Sequence, residues 1–229
     1  MNFILKWLKS NHKTPYSESL RIGVLLALTG GFLDAYSFLC RGKVFANAQT
    51  GNMILLSISL LNGEFNEIIK YIIPILAFAI GIIIVKVFEN KFATLEKIHW
   101  RQYILILEIV LILILAFIPN NYIANTIISF ICALQVQSFK KFHGYPYATT
   151  MCTGNLRSGT EHLYSYIKDK NKESLKIFIQ YYFIIFIFCF GAFIGGFITI
   201  KLGKLSIIFS AIPLLIILFI IGYNQQKEY

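Results

Sequence analysis

GVLLALTGGFLDAYSFLC, at residues 23–40, is the stretch that decides the class of fold. Its single charged residue is Asp34, and its other positions are almost all apolar or small. A helix needs roughly 20 mostly apolar residues to cross the hydrocarbon core of a bilayer. Because lipid cannot hydrogen-bond to backbone N–H and C=O groups, such a run must be helical. The stretch therefore predicts a first membrane-spanning helix.

Further apolar runs follow along the chain, which is 57% hydrophobic but only 14% charged. Soluble domains carry about a quarter charged residues. The pattern predicts an all-α membrane protein with about six transmembrane helices plus two short re-entrant or interfacial helices. The short ones are Met53–Leu61, which cannot span a bilayer, and the amphipathic stretch 155–169. The other predicted spans are 68–88, 102–118, 122–139, 177–200 and 205–222.

The basic residues give this protein a formal net charge of +10, and their placement predicts its orientation. With the N-terminus in the cytoplasm, 16 of the 21 Lys and Arg residues fall in inside segments and 5 outside. This bias follows the positive-inside rule, so both termini are predicted to be cytoplasmic in a bacterial inner membrane. No nucleic-acid partner is needed to explain the charge. A cytoplasmic lead at 1–22 and a tail at 223–229 flank the membrane domain.

An internal repeat divides the membrane domain into residues 23–121 and 122–222. Thr50-Gly51-Asn52 recurs as Thr153-Gly154-Asn155, and DAYSF at 34–38 is similar to QVQSF at 135–139. AFAIG at 77–81 is similar to GAFIG at 191–195, and such small-xxx-small patterns let helices approach closely. Each half is predicted to hold three crossings and one short helix. An odd number of crossings inverts the second half, as in many secondary transporters.

These same segments carry a resemblance to a known family. GFLDAYSF at 31–38, FANAQTGN at 45–52, ALQVQ at 133–137 and TTMCTG at 149–154 resemble the YoaK-type family of bacterial membrane proteins, a domain of unknown function. The resemblance covers nearly the whole chain, and Glu108 also fits it. The chain departs from the family pattern at Val136-Gln137 and at Asn155. The resemblance implies the membrane topology and supplies no activity.

The candidate functional residues are polar groups in or beside the predicted spans. Asp34 and Glu108 are carboxylates well inside them, and such groups are costly in a membrane and usually face its protein interior. Each Thr-Gly-Asn motif begins a short helix, whose positive end would favour an anion or polar solute. The alternative is that the two motifs simply cap helices, with threonine as N-cap. The predicted solute or proton pathway comprises Asp34, Thr50, Gly51, Asn52, Glu108, Gln135, Gln137, Thr153, Gly154 and Asn155.

Three functions fit this pattern. The first is a secondary transporter or facilitator of a small polar or anionic solute, with proton coupling through the buried acids. The second is a membrane enzyme acting on a lipid-like substrate, but no HExxH, Asp-rich motif or nucleophile elbow occurs. The third is a non-catalytic scaffold or sensor. No metal or cofactor is predicted from the four cysteines and four histidines. Gly191 and Gly195 could pack helices within one chain or between two, so a homo-oligomer stays open.

Overall fold

The computed structural model describes residues 16–92 and 99–225, in which the apolar runs form α-helices. The only β-structure in these two ranges is a hairpin of two antiparallel two-residue strands, β1 (Lys141–Phe142) and β2 (Tyr145–Pro146). Two 3-10 segments, Tyr16–Glu18 and Gly203–Ser210, precede the first and last helices. The helices are α1 (Leu20–Cys40), α2 (Gln49–Asn62), α3 (Phe65–Phe92), α4 (Trp100–Leu115), α5 (Asn121–Ser138), α6 (Cys152–Asp169), α7 (Lys172–Leu202) and α8 (Ala211–Gln225).

Local turn chemistry explains several helix boundaries. The Asn120 side chain accepts hydrogen bonds from the N–H groups of Tyr122 and Ile123, at 2.8 and 3.2 Å, and so caps the start of α5. Asn171 caps α7 in the same way. Gly63 ends α2 in the left-handed conformation, with φ of 71°, which glycine adopts without the steric cost of a Cβ. The chain can therefore turn straight from α2 into α3.

Three described helical stretches are long and apolar enough to cross a membrane: Leu20–Cys40, Phe65–Phe92 and Lys172–Asn224. The prediction of an all-α protein with membrane-spanning helices is confirmed at this level. Each of the six predicted spans overlaps a helix, but α4 has only 16 residues, or about 24 Å at 1.5 Å per residue. The count of six therefore stays a prediction. The predicted lead up to residue 15, and the tail from residue 226, lie outside the described residues.

The tightest helix pair is α1 against α7, and glycines make it possible. A Cβ on Gly31 would collide with the backbone of Phe188, and one on Gly191 would collide with the carbonyl of Leu28. One turn further, Gly195 lies against the backbone and ring of Phe32. The small-xxx-small pattern of α7 therefore packs against a helix of the same chain, which is one of the two alternatives that the sequence left open.

A second close pair joins α3 to α5. A Cβ on Gly81 would lie 2.7 Å from the Cβ of Ala133 and 3.1 Å from the carbonyl oxygen of Phe130. Gly81 and Gly195 are the last residues of the two similar segments, AFAIG and GAFIG.

Polar contacts gather at both ends of the helix bundle. At one, here called the Arg41 end, the Arg41 guanidinium donates to the carbonyls of Leu115 and Ile118, at 3.0 and 2.7 Å. The Lys204 ammonium donates to Pro119 O at 2.7 Å. At the other, the Arg101 end, the Arg101 guanidinium donates to Ser138 O and to the Ser17 hydroxyl, at 2.7 and 2.6 Å. Between the ends lies an apolar core in which α1, α4, α5 and α8 take part.

Candidate functional site

The two Thr-Gly-Asn motifs lie in the first turns of α2 and α6. The N-caps are Ala48 and Met151, neither of which makes a side-chain cap hydrogen bond. The alternative in which threonine caps each helix is therefore wrong, because Thr50 and Thr153 already lie inside the helices. Both threonines are exposed, and a Cβ on Gly51 or Gly154 would meet nothing within 4 Å. These four predicted residues face outward from the bundle.

The asparagine of each motif is the member that turns inward. Asn155 is 2% exposed, and its amide both accepts from Ala148 N at 3.1 Å and donates to Ala148 O at 2.7 Å. Asn52 is 1% exposed and donates to the Gln49 side chain at 3.2 Å, while Gln49 donates to Ala46 O at 2.8 Å. Asn155 thereby bonds directly to the loop that precedes its helix, and Asn52 bonds to the loop before α2 through Gln49.

Those two loops, 41–48 and 139–151, meet in the middle of the bundle. The first leaves α1 at the Arg41 end, and the second leaves α5 at the Arg101 end. Asn47 of the first loop donates to Gly30 O at 3.2 Å, and Thr150 of the second lies against the same glycine. The Cys132 thiol lies 3.9 Å from Asn47 O and 3.3 Å from the Thr150 hydroxyl. Gly30 and Cys132 stand near the midpoints of α1 and α5.

The two predicted carboxylates belong to this central region. The Asp34 carboxyl group interacts with the backbone N–H of Asn47, next to the N-cap of α2. Glu108, in the middle of α4, is fully buried. The Cys132 thiol is near enough to both carboxyl groups to interact with each electrostatically. Asp34, Asn47, Glu108, Cys132, Gln135 and Thr150 are here called the central polar cluster.

The two predicted glutamines of α5 have different surroundings. Gln135 is fully buried and donates from its amide nitrogen to Leu26 O on α1, at 2.9 Å. It lies less than one turn from Cys132, toward the Arg101 end. Gln137 is half-buried on a different face of α5. Of the ten predicted residues, then, Asp34, Glu108 and Gln135 belong to the central polar cluster.

Three residues that the sequence reasoning passed over also matter here. Asn47 and Thr150 stand just before the two motifs, inside the segments FANAQTGN and TTMCTG that carry the family resemblance, and that position was the available signal. Arg41 was counted only as an external basic residue. It is fully buried, and its Nε also donates to the Tyr36 hydroxyl at 2.8 Å. A buried guanidinium needs such partners for its donors.

The chemistry of the central region is that of hydrogen-bonding oxygens, amides and a thiol. Within residues 16–92 and 99–225, no group of three or more His, Cys, Asp or Glu residues could hold a metal ion.

Away from the spans, His99 at the Arg101 end caps α4, with its Nδ1 accepting from Arg101 N at 3.2 Å. Burial lowers the pKa of His99 to about 4. The cap therefore relies on a neutral imidazole.

Apolar helices that enclose a polar centre define a helical membrane protein. Comparison with known protein families supports this class, because the family model described as Protein of unknown function (DUF1275) matches residues 22–220. The chain belongs to this family. It is also similar to the UPF0700 transmembrane protein YoaK of Bacillus subtilis (strain 168), at 26% identity over 179 residues, which cover 74% of this chain and 79% of that protein. The resemblance to a YoaK-type family is thereby confirmed. No solved structure matches.

Proposed function

We propose that this protein is a secondary transporter or facilitator of a small polar solute in the bacterial cytoplasmic membrane, with both termini in the cytoplasm. The observation that carries the proposal is the meeting of loops 41–48 and 139–151 at Gly30, after entering from opposite ends of the bundle. Non-helical backbone at membrane depth is tolerated where it is buried in protein or lines a cavity. Transporters place their solute sites at such interruptions.

Six crossings are the topology that the proposal requires, and the helix ends support it. The carboxyl ends of α1 and α4 lie at the Arg41 end, where the Tyr36 hydroxyl also reaches Lys204 O just beyond α7. The carboxyl end of α5 lies at the Arg101 end with the start of α4. Gly222 of α8 lies near Gln102 at that same end. The long helices therefore alternate in direction along the chain.

An inverted repeat is supported by the way in which equivalent helices pair. The first helix of each half packs against the third helical element of the other half, so α1 pairs with α7 and α5 with α3. The short helix of each half packs against the helix that follows it, α2 on α3 and α6 on α7. Exchanging the two halves leaves this set of pairs unchanged, as a pseudo-two-fold axis requires.

The solute is better described as polar than as anionic. The amino end of α2 would attract negative charge, but the Asp34 carboxyl group already lies beside it. A carboxylate at this position satisfies the helix dipole and repels a second anion. Uncharged hydrogen-bonding solutes face no such repulsion. The proposal involves no catalytic step.

Thiol accessibility tests the proposal directly. One variant keeps only Cys152, by changing Cys40, Cys132 and Cys189 to serine. A second carries Asn52→Cys in a background in which all four native cysteines are serine, because Asn52 is the motif residue that turns inward. Each is treated with a membrane-impermeant maleimide in right-side-out and in inverted vesicles. We expect labelling of both sites from both sides, because alternating access exposes the centre to each side in turn.

Cys189 supplies the matched control, since it is exposed near the middle of α7 and a bilayer would cover it. A variant that retains Cys189 alone should react from neither side. If the thiol at position 52 and Cys152 each react from one side only, or from neither, under all solute conditions, the alternating-access proposal is wrong.

A further inference from the structure

The short helix α6 begins deep in the bundle and runs back along α7. At its start, the Cys152 thiol is near enough to Cys189 to interact with it electrostatically, and Cys189 stands near the middle of α7. Two turns further on, a Cβ on Gly159 would lie 3.0 Å from the Cβ of Tyr181, which is closer to the start of α7. The two helices are therefore antiparallel neighbours, and the first half of α6 lies at membrane depth.

Two charged side chains project outward from this half of α6. Arg157 is five residues from Cys152, or at most about 8 Å along the helix, and Glu161 is nine, or at most about 14 Å. Half of a hydrocarbon core is about 15 Å thick. The two side chains are 80% and 63% exposed, and Arg157 Nε donates to Glu161 Oε1 at 2.9 Å. Because charged groups are costly against lipid tails, something other than lipid covers this side of α6.

The matching helix in the other half of the chain has an apolar outward side. When the two Thr-Gly-Asn motifs are aligned, Ile54 and Ile58 of α2 stand at the positions of Arg157 and Glu161. Both isoleucines are exposed, as side chains that face lipid are. Each short helix packs against the helix that follows it, so the two have equivalent neighbours. The charges on α6 are therefore not a requirement of its place in the fold.

The exposed side of α6 is suited to contact with a copy of itself. It is here called the α6 face and comprises Thr153, Leu156, Arg157, Thr160, Glu161 and Tyr164. Copies inserted with one topology share one orientation, so a two-fold axis between them runs along the membrane normal. The two α6 helices then lie side by side at equal depth. Such an interface must be complementary to itself, and a face that holds one cation and one anion meets this requirement.

We propose that the α6 face joins two copies of this protein in the membrane, with the Arg157 guanidinium of each copy bound to the Glu161 carboxylate of the other as well as to its own. Four alternating charges then form a network, which is stronger than an exposed pair, above all at low dielectric constant. Tyr164 flanks the charges, and tyrosine and arginine are enriched at interface centres. The inference goes beyond the proposed function, since this contact does not require transport.

Charge reversal in one copy at a time separates contact between copies from bonding within one helix. Arg157→Glu and Glu161→Arg are expressed together in one membrane under different affinity tags, and each is also expressed with itself under both tags. A like pair brings four charges of one sign together, whereas the mixed pair has two of each. Purification through one tag should recover the mixed pair about tenfold or more in excess over either like pair. A bond confined to one helix predicts equal recovery, because both variants lose it in every combination.

The Glu173–Lys176 ion pair of α7 provides the matched control, being exposed and also within one helix, at 3.2 Å. Glu173→Lys and Lys176→Glu, expressed in the same three combinations, should show no preference for the mixed pair. A preference of similar size in this control would mean that the α6 result does not depend on the α6 face, and it would overturn the proposal.

Disulfide cross-linking tests the same contact with the native charges in place. Gly154→Cys and Gly51→Cys, each with all four native cysteines changed to serine, put one thiol at matching positions of α6 and α2, and a Cβ at either glycine meets nothing within 4 Å. Oxidation by copper phenanthroline in membranes should give a covalent dimer of Gly154→Cys and little of Gly51→Cys. Three outcomes overturn the proposal: equal recovery of mixed and like pairs, single-step photobleaching of the labelled wild type in a bilayer, or labelling of uncross-linked Gly154→Cys by an impermeant maleimide, which would show that water covers the α6 face.

Discussion

A single methyl group at the α1–α7 interface provides the sharpest test of the packing. In Gly195→Ala, the new Cβ would lie 2.7 Å from Phe32 Cα and 3.0 Å from Phe32 O. Ordinary contact begins at 3.4 Å, so the two helices must separate by about 0.7 Å locally. The obstruction includes backbone, so no rotamer change can relieve it. Overpacking of this kind costs about 1–3 kcal/mol.

The adjacent residue supplies a matched control. A Cβ on Gly196 would lie 3.5 Å from Leu39 Cδ1 and 3.9 Å from Ala35 Cβ, which are ordinary contacts. Both glycines lie inside the same helix, so each substitution gains the same helix propensity, about 1 kcal/mol. That gain cancels when the two variants are compared. The expected difference in unfolding free energy between them is therefore the overpacking cost alone, about 1–3 kcal/mol.

The assay is the apparent Tm of each purified variant in the same detergent, followed by tryptophan fluorescence at one scan rate, since irreversible unfolding makes Tm depend on scan rate. Trp100 is buried at the start of α4 and reports loss of structure. For a chain of this length, 1 kcal/mol shifts Tm by about 2–4 °C, so Gly195→Ala should melt roughly 2–12 °C below Gly196→Ala. Equal melting temperatures, or a more stable Gly195→Ala, would refute the close approach of α1 and α7.

Three further predictions use the same assay. Arg41→Lys should lower stability by about 1–3 kcal/mol, because one ammonium group cannot replace a guanidinium that serves two carbonyls and a hydroxyl; an unchanged Tm contradicts this. His99→Asn keeps a cap acceptor but removes a group whose pKa falls from 6.5 to about 4 on folding. The stability that the neutral imidazole contributes is intact above pH 6.5 and is lost as the pH falls toward 4. Between these pH values, the unfolding free energy of the variant should therefore fall by about 1 kcal/mol less than that of the wild type, after allowing for solvent screening. Parallel melting curves at all pH values would show that His99 does not titrate there. Asn155→Ala should cost about 1–2 kcal/mol, because it removes both bonds to Ala148, whereas Asn62→Ala, at an exposed 3.5 Å contact, should change little.

Helix positions could be predicted from the sequence because they depend on local composition. The run 23–40 anticipated α1 at Leu20–Cys40, and 122–139 anticipated α5 at Asn121–Ser138. The short stretch Met53–Leu61 became the 14-residue α2, which begins four residues earlier. The sequence pattern did not predict its start, because Gln49, Thr50 and Asn52 are polar. A polar first helical turn has the same composition as a loop. The last predicted span begins as a 3-10 segment, Gly203–Ser210, before α8.

The functional residues were only partly predictable, since polarity within an apolar run does not show where a side chain points. Asp34 and Glu108 were chosen because carboxylates are rare in membrane spans, and both lie in the central polar cluster. Thr50 and Gly51 were chosen because they belong to a repeated motif, yet Thr50 is exposed and Gly51 lies open to its surroundings. The residues that reach the centre are Asn47 and Thr150, just before each motif.

The sequence by itself determined that the chain is helical and embedded in a membrane, because lipid leaves an apolar segment no other way to satisfy its backbone. It also contained the two similar Thr-Gly-Asn segments and the small residues at close-packing positions. Only the tertiary structure decided that Gly191 and Gly195 pack against α1 of the same chain, and that loops from opposite ends meet at Gly30. Those outcomes depend on contacts such as Gly191 with Leu28 and Gly30 with Thr150, which join residues more than 100 positions apart and which no local pattern encodes.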